Sequence, residues 1–114
     1  MNDLENRLFD FGIRVIKFLR KQPNTIEFKT IKNQLIKSST SSGANYEESQ
    51  AGSSKPDFNN KVRISLREMR ESNYWLRIIA GISEETDNEL YFLLNESKEL
   101  KLILGSIMQK TRIK

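Results

Sequence analysis

The sequence contains no cysteine and no histidine. Without cysteine there is no disulfide framework, and a reducing compartment is the natural setting. Without histidine, metal sites built on imidazole, histidine general bases and every Ser-His or Cys-His nucleophile pair are excluded. Proline occurs only twice, at Pro23 and Pro56, each time between periodic segments. No apolar run reaches the roughly 18 residues of a membrane span, so none is expected. The opening "MNDLENRLFDFG" has mixed charge rather than a basic patch before an apolar stretch, so no signal peptide is expected and the chain reads as cytoplasmic. Lys and Arg number 19 against 15 Asp and Glu, a net charge of +4. That excess permits a nucleic-acid or acidic-surface partner without demanding one. At 114 residues the chain reads as one domain, 1–114, long enough to bury a core without staples.

What is present is helical periodicity. Leu4, Leu8, Phe11, Val15, Phe18 and Leu19 fall on one face of a segment that Pro23 stops. Asn24 with Glu27 reads as a capping-box-like restart, and Phe28, Ile31 and Leu35 begin a second face. After Pro56, the residues Phe58, Val62, Leu66, Met69, Leu76 and Ala80 share a side with Ser65 and Asn73, and Gly81 is the expected left-handed cap. Ser83 with Glu84 and Glu85 is expected to open a last helix bearing Leu90, Leu93, Leu94, Ser97, Leu100, Leu104, Ile107 and Met108. Strand alternation is convincing nowhere. The expectation is an all-α chain with helices over approximately 3–21, 25–53, 56–80 and 83–110.

The stretch "SSTSSGANYEESQAG" (38–52) is the ambiguous part. Continuing the helical step from Ile31 and Leu35 puts Ser38, Ser42, Asn45, Tyr46 and Ser49 on the same face. Small side chains at that spacing let two helix backbones approach closely. Yet Ser, Thr and Gly are also what a linker is made of, and Gly43 costs about 1 kcal/mol relative to Ala in a helix. Pattern alone leaves both readings open.

The order of this stretch and "DFNNKVRISLREMRESNYWLRIIAG" (57–81) resembles the bacterial 23S rRNA-intervening-sequence protein family. Ser42, Gly43, Ala44, Asn45 and Glu48 match its second-helix motif, while Asp57, Phe58, Lys61, Leu66, Glu68, Glu71, Tyr74, Trp75 and Leu76 match its third. "FDFGIRVIKFLRK" is a looser match to its first helix. The resemblance implies an up-and-down antiparallel four-helix bundle in which the Ser-rich stretch is helix. It also implies a ring-shaped homopentamer and, by analogy to a related branch, an accessory role beside a nucleic-acid-processing protein. Thr40 departs from a position where relatives resemble Ser, and "SQAGSSK" is less helix-prone than relatives at the end of the second helix.

Two surface features carry functional expectations. Arg63, Arg67, Arg70 and Arg77 lie within roughly 80° of one another around the third helix, with Tyr74 among them and Lys61 close in sequence. Guanidinium groups about a turn apart suit successive phosphates, and Tyr74 suits stacking on an unpaired base. The bland reading is a solvated face in which Arg67 pairs with Glu71. Ile64, Trp75 and Ile78 on the third helix, and Phe9, Ile13 and Ile16 on the first, are apolar positions off the core stripes. They are read either as wide core coverage or as an oligomer interface anchored by Trp75.

Paired carboxylates, Glu47 with Glu48 and Glu68 with Glu71, cannot assemble the usual di-metal bundle site without histidine. Ser42, Gly43, Asn45 and Glu48 are therefore read as structural helix contacts. The short basic end "QKTRIK" reads as solvated. The sequence-level conclusion is a non-enzymatic homo-oligomer with no cofactor, no metal and no membrane role. Its expected partners are a second copy of itself, RNA or DNA, and a nucleic-acid-processing protein; a protein–protein scaffold is the alternative.

Overall fold

The structure is a computed structural model and describes residues 2–52 and 54–112, with all side chains among them except that of Arg112. It consists of four helices: α1 (Asp3–Arg20), α2 (Ile26–Ser49), α3 (Lys55–Ile82) and α4 (Asn88–Arg112). No strand occurs among the described residues. Each helix packs against the next and α4 closes back on α1. Paired positions run in opposite senses: Leu8 lies against Gly43 and Gly12 against Ser39, while Arg7 meets Glu96 and Arg14 meets Glu89. This is an up-and-down four-helix bundle, 46 × 22 × 19 Å, its length set by α3 at about 1.5 Å per residue.

The apolar stripes read from the sequence form the core. Leu8, Phe11, Val15, Phe18 and Leu19 of α1, and Phe28, Ile31 and Leu35 of α2, are buried. So are Val62, Leu66, Met69 and Leu76 of α3 and Leu90, Leu93, Leu100 and Leu104 of α4. Leu4, Phe58, Ala80, Leu94, Ile107 and Met108 pack at its margin.

The Ser-rich stretch is helix through Ser49, with Ser38, Ser39, Ser42, Tyr46 and Ser49 buried. Its serines form the α2–α3 seam. Ser42 Oγ donates to the Ser65 carbonyl at 2.8 Å and Ser65 Oγ donates to the Ser42 carbonyl at 2.7 Å. One turn earlier in α2, the Ser38 and Ser72 hydroxyls lie 2.8 Å apart. Hydroxyls that would be costly to bury alone are thus satisfied against each other and against carbonyls. The α1–α2 seam is also close: a Cβ added at Gly43 would meet Leu8 Cβ and the Leu8 carbonyl at 3.5 Å.

Helix ends differ from expectation at four places. Thr25, not Asn24, caps α2 through its hydroxyl to the Phe28 amide, because Asn24 Oδ1 is engaged by Lys32 Nζ at 3.1 Å. The second helix stops at Ser49 rather than 53, and Gly52 takes a left-handed φ of +83° that turns the chain toward the Ser54 cap of α3; Ser53 lies outside the described residues. Gly81 is not a left-handed cap, since α3 continues to Ile82 and Ser83 closes it by donating its amide and hydroxyl to the Ile79 carbonyl. Ser83 is therefore spent on α3. The last helix opens at Asn88, where Asp87 Oδ1 accepts from the Glu89 and Leu90 amides, so Glu84 and Glu85 sit in the connecting loop.

Candidate nucleic-acid-binding face

Arg63, Arg67, Arg70, Tyr74 and Arg77 are all exposed on the outer side of α3. Their spacing spans about 21 Å of helix axis at about 1.5 Å per residue. Lys61 does not join them: two residues before Arg63 it lies about 200° around the helix, and it is half-buried.

The bonding of these cations sets them apart. Arg63 donates to the neutral Asn60 Oδ1 at 2.9 Å, and Arg67 comes only within 3.9 Å of the Glu68 carboxylate. The expected Arg67–Glu71 pair is absent; Glu71 accepts from Trp75 Nε1 at 3.2 Å instead. Arg77 donates Nε to Asn73 Oδ1 at 3.0 Å while its guanidinium lies 5.7 Å from the Tyr74 ring centroid. On α1 the opposite holds. Arg7 grips Glu96 with two bonds of 3.0 and 2.7 Å and reaches Glu99 at 3.0 Å. Arg14 grips Glu89 at 2.9 and 2.7 Å and lies 3.5 Å from the Phe92 ring centroid. Bidentate pairs of this kind largely cancel a charge toward solvent.

The titration of these groups follows the same geometry. Hydrogen bonds from Arg14 hold the Glu89 carboxyl below its ordinary value, and hydrogen bonding to Glu96 strengthens the protonated state of Arg7. Glu68 moves the other way: burial raises it, reinforced by the charge of Glu71.

Across the α3–α4 seam, Lys101 Nζ reaches the same Asn73 Oδ1 at 3.4 Å, and Asn73 Nδ2 donates to Ser97 Oγ at 2.9 Å. Lys101 and Arg70 line one groove with Leu66, Leu102 and Gly105. Sequence reasoning missed Lys101, which sits at the edge of an apolar stripe and gains its meaning only from the packing of α4 on α3. A signal for Asn73 did exist: it and Ser97 are polar residues on the core stripes of consecutive helices.

The apolar positions off the core stripes divide. Trp75 and Ile78 pack against the core and Ile64 is half-buried, the wide-coverage arrangement. Phe9 and Ile13 remain 54% and 38% exposed, and with the half-buried Ile16 they border a groove of about 390 Å³ floored by Gly12, Gly43 and Ala44. The structure therefore keeps the first-helix set as free apolar surface and folds most of the third-helix set inward.

Among the expected helix contacts, Ser42 and Gly43 lie in the seams described above. Asn45 and Glu48 do not tie helices together. Asn45 Nδ2 bonds to the Ser41 carbonyl and hydroxyl inside α2, and Glu48 is exposed, about 120° around the helix from Ser42. Among the described residues no three acidic side chains converge as a metal-holding group, and no helix is long and apolar enough to cross a membrane. The basic end lies partly outside the described residues.

The bundle has a counterpart among solved structures. A crystal structure of a protein of unknown function from the S23 ribosomal protein family, from Bacteroides thetaiotaomicron VPI-5482, matches with a TM-score of 0.80 at 28% identity, covering 92% of this chain and 97% of that one. No curated protein matches the sequence. The profile described as 23S rRNA-intervening sequence protein matches residues 2–106. With a match of that extent and a bundle shared along its length, the chain belongs to the 23S rRNA-intervening sequence protein family.

Proposed function

We propose that this protein is a non-enzymatic accessory protein that binds nucleic acid, structured RNA foremost, through the outer face of α3. One observation carries the reading: Arg63, Arg67, Arg70 and Arg77 come no closer than 3.9 Å to a carboxylate among the described residues, whereas Arg7 and Arg14 are neutralised in bidentate pairs. Uncancelled guanidinium groups repeated along one helix are suited to backbone phosphates, and Tyr74 beside them is suited to stacking. Self-association through the exposed Phe9 and Ile13 side of α1 into a ring, five-fold as the resemblance implies, would present the stripe several times over. That multiplication offsets the small net charge of one chain.

The family description names 23S rRNA, which makes ribosomal RNA fragments the first probes. Fluorescence anisotropy should show binding that weakens steeply with salt, with a slope of log affinity on log salt of about −3 for four single-strand phosphate contacts per chain. Changing Arg63, Arg67 and Arg70 together to Ala should abolish it. No change in anisotropy with any nucleic acid at low salt would overturn the reading. The same exposed Phe9 and Ile13 would then favour the second one, a protein–protein assembly adaptor acting in a nucleic-acid-processing machine or elsewhere.

A further inference from the structure

We infer that Arg77 and Lys101 form a clamp for a single phosphate group, held ready by Asn73 across the α3–α4 seam; this rests on the nucleic-acid reading and locates one contact within it. Asn73 is only 5% exposed, and its Oδ1 accepts from Arg77 Nε at 3.0 Å and from Lys101 Nζ at 3.4 Å. Two cations from different helices thus converge on one neutral oxygen and cannot be farther apart than those two distances laid end to end. Among the described residues neither has a carboxylate within 4.0 Å. Like charges so placed repel, and an anion between them relieves the repulsion.

The pin itself is well fixed. Asn73 Nδ2 donates to Ser97 Oγ at 2.9 Å, and Ser97 Oγ donates onward to the Leu94 carbonyl at 3.0 Å, so the amide cannot turn without breaking a buried chain. With Nε bound to Asn73, the terminal nitrogens of Arg77 remain to take two phosphate oxygens, while Lys101 adds a point charge. Arg70, one turn before Asn73 on α3, lines a groove together with Lys101. Gly105, one turn beyond Lys101 on α4, has nothing within 4 Å of where a Cβ would stand, which leaves room for a strand leading away from the clamped phosphate. Asn73 is a positioning residue here; Arg77 and Lys101 make the contact.

The test has two arms on the full chain. In the first, inorganic phosphate is titrated into labelled protein at constant ionic strength, with chloride as the control. The Asn73 side-chain amide and the Arg77 Nε–H resonances should shift with phosphate alone; no shift overturns the clamp. In the second, a single-stranded RNA oligonucleotide is bound at several salt concentrations. Arg77→Ala and Lys101→Ala should each reduce the salt slope by about 0.7, the value of one single-strand phosphate contact, and the double variant by the same amount because the phosphate is shared. Lys29→Ala, on α2, should leave the slope unchanged. A double variant losing about 1.4 indicates two separate phosphates and overturns the clamp. Asn73→Asp supplies a carboxylate to both cations while giving up the Nδ2 donation to Ser97, so in the folded variant the Arg77 Nε–H resonance should no longer move with phosphate, whereas a purely structural role for Asn73 leaves that response in place. Phosphate shifts without any oligonucleotide binding keep the clamp and remove the nucleic-acid reading; oligonucleotide binding with a slope indifferent to Arg77 and Lys101 does the reverse.

Discussion

Ser42 and Ser65 exchange hydroxyl-to-carbonyl hydrogen bonds of 2.8 and 2.7 Å across the α2–α3 seam, so each residue is donor and acceptor to the other. The exchange is possible only because both side chains are small enough to let the two backbones meet. Truncating either hydroxyl removes one buried bond, whereas enlarging either residue pushes the helices apart. Ser42→Ala and Ser65→Ala should each cost about 1 kcal/mol, and Ser42→Leu about 3 kcal/mol. In urea denaturation these appear as ordered shifts of the midpoint at constant slope. A slack tether at this position would give three values near zero.

Two glycines inside helices should respond in opposite ways as the replacement grows. A Cβ at Gly43 would sit 3.5 Å from Leu8, in ordinary contact, and one at Gly105 would meet nothing within 4 Å. Both Gly43→Ala and Gly105→Ala should therefore stabilise by up to about 1 kcal/mol through helix propensity. Gly43→Leu should destabilise, since the added atoms enter the α1–α2 seam, whereas Gly105→Leu should not. Thermal melts of the four variants decide it.

The α1–α4 seam depends on Arg7. The Glu96 side chain is 15% exposed and the Glu99 side chain 65%, although both accept from the same guanidinium. Arg7→Met strands a mostly buried carboxylate and should cost about 2 kcal/mol, while Glu99→Gln should stay within about 0.5 kcal/mol. Raising the salt concentration should narrow the difference only slightly, because the inner pair is shielded from solvent.

Two glutamates pull the pH dependence of stability in opposite directions. Glu89 has its folded value lowered by Arg14, so its contribution is present above its ordinary value of 4.5 and is lost as pH falls through the lowered one. Glu68 has its folded value raised by burial and by Glu71, so the folded state takes up a proton first. Stability from that group rises as pH falls through its raised value and levels off near 4.5. Glu68→Gln should flatten the rise on mild acidification and raise stability at neutral pH, and Glu89→Gln should flatten the loss at lower pH. Melting temperatures measured from pH 3 to pH 7 resolve the two windows.

Self-association through α1 predicts that Phe9→Glu with Ile13→Glu yields monomers by light scattering while leaving the melting temperature of the chain near its original value, since both side chains are exposed. An unchanged mass would show that the assembly, if formed, uses another surface.

The helical stripes were legible because a period of about 3.6 residues is a property of the chain alone. Leu8, Phe11, Val15, Leu35, Val62, Leu76, Leu93 and Leu104 needed no partner to be recognised, and all are buried. Ser83 was misread for a specific reason. A serine before two glutamates is a valid helix opening, yet its hydroxyl bonds the Ile79 carbonyl at 2.6 Å and ends the previous helix instead. The two uses are chemically identical from the sequence side. The stripe of α3 arginines was equally visible, but Lys61 was wrongly grouped with it by closeness in sequence rather than by angle.

The amino-acid sequence by itself determined where the large apolar stripes of the helices lie and that histidine and cysteine chemistry is unavailable to the chain, while the burial of the Ser-rich stretch and of Trp75 and Ile78 came from packing. Only the tertiary structure decided which charges survive at the surface. The antiparallel register of α1 and α4 sets Arg7 opposite Glu96 and Arg14 opposite Glu89, while α4 offers Arg77 no carboxylate but Lys101, met through the neutral Asn73. Pairing of charges depends on distances across helices up to 92 residues apart in sequence, as for Arg7 and Glu99, and a linear pattern carries no information about those distances until the helices have packed.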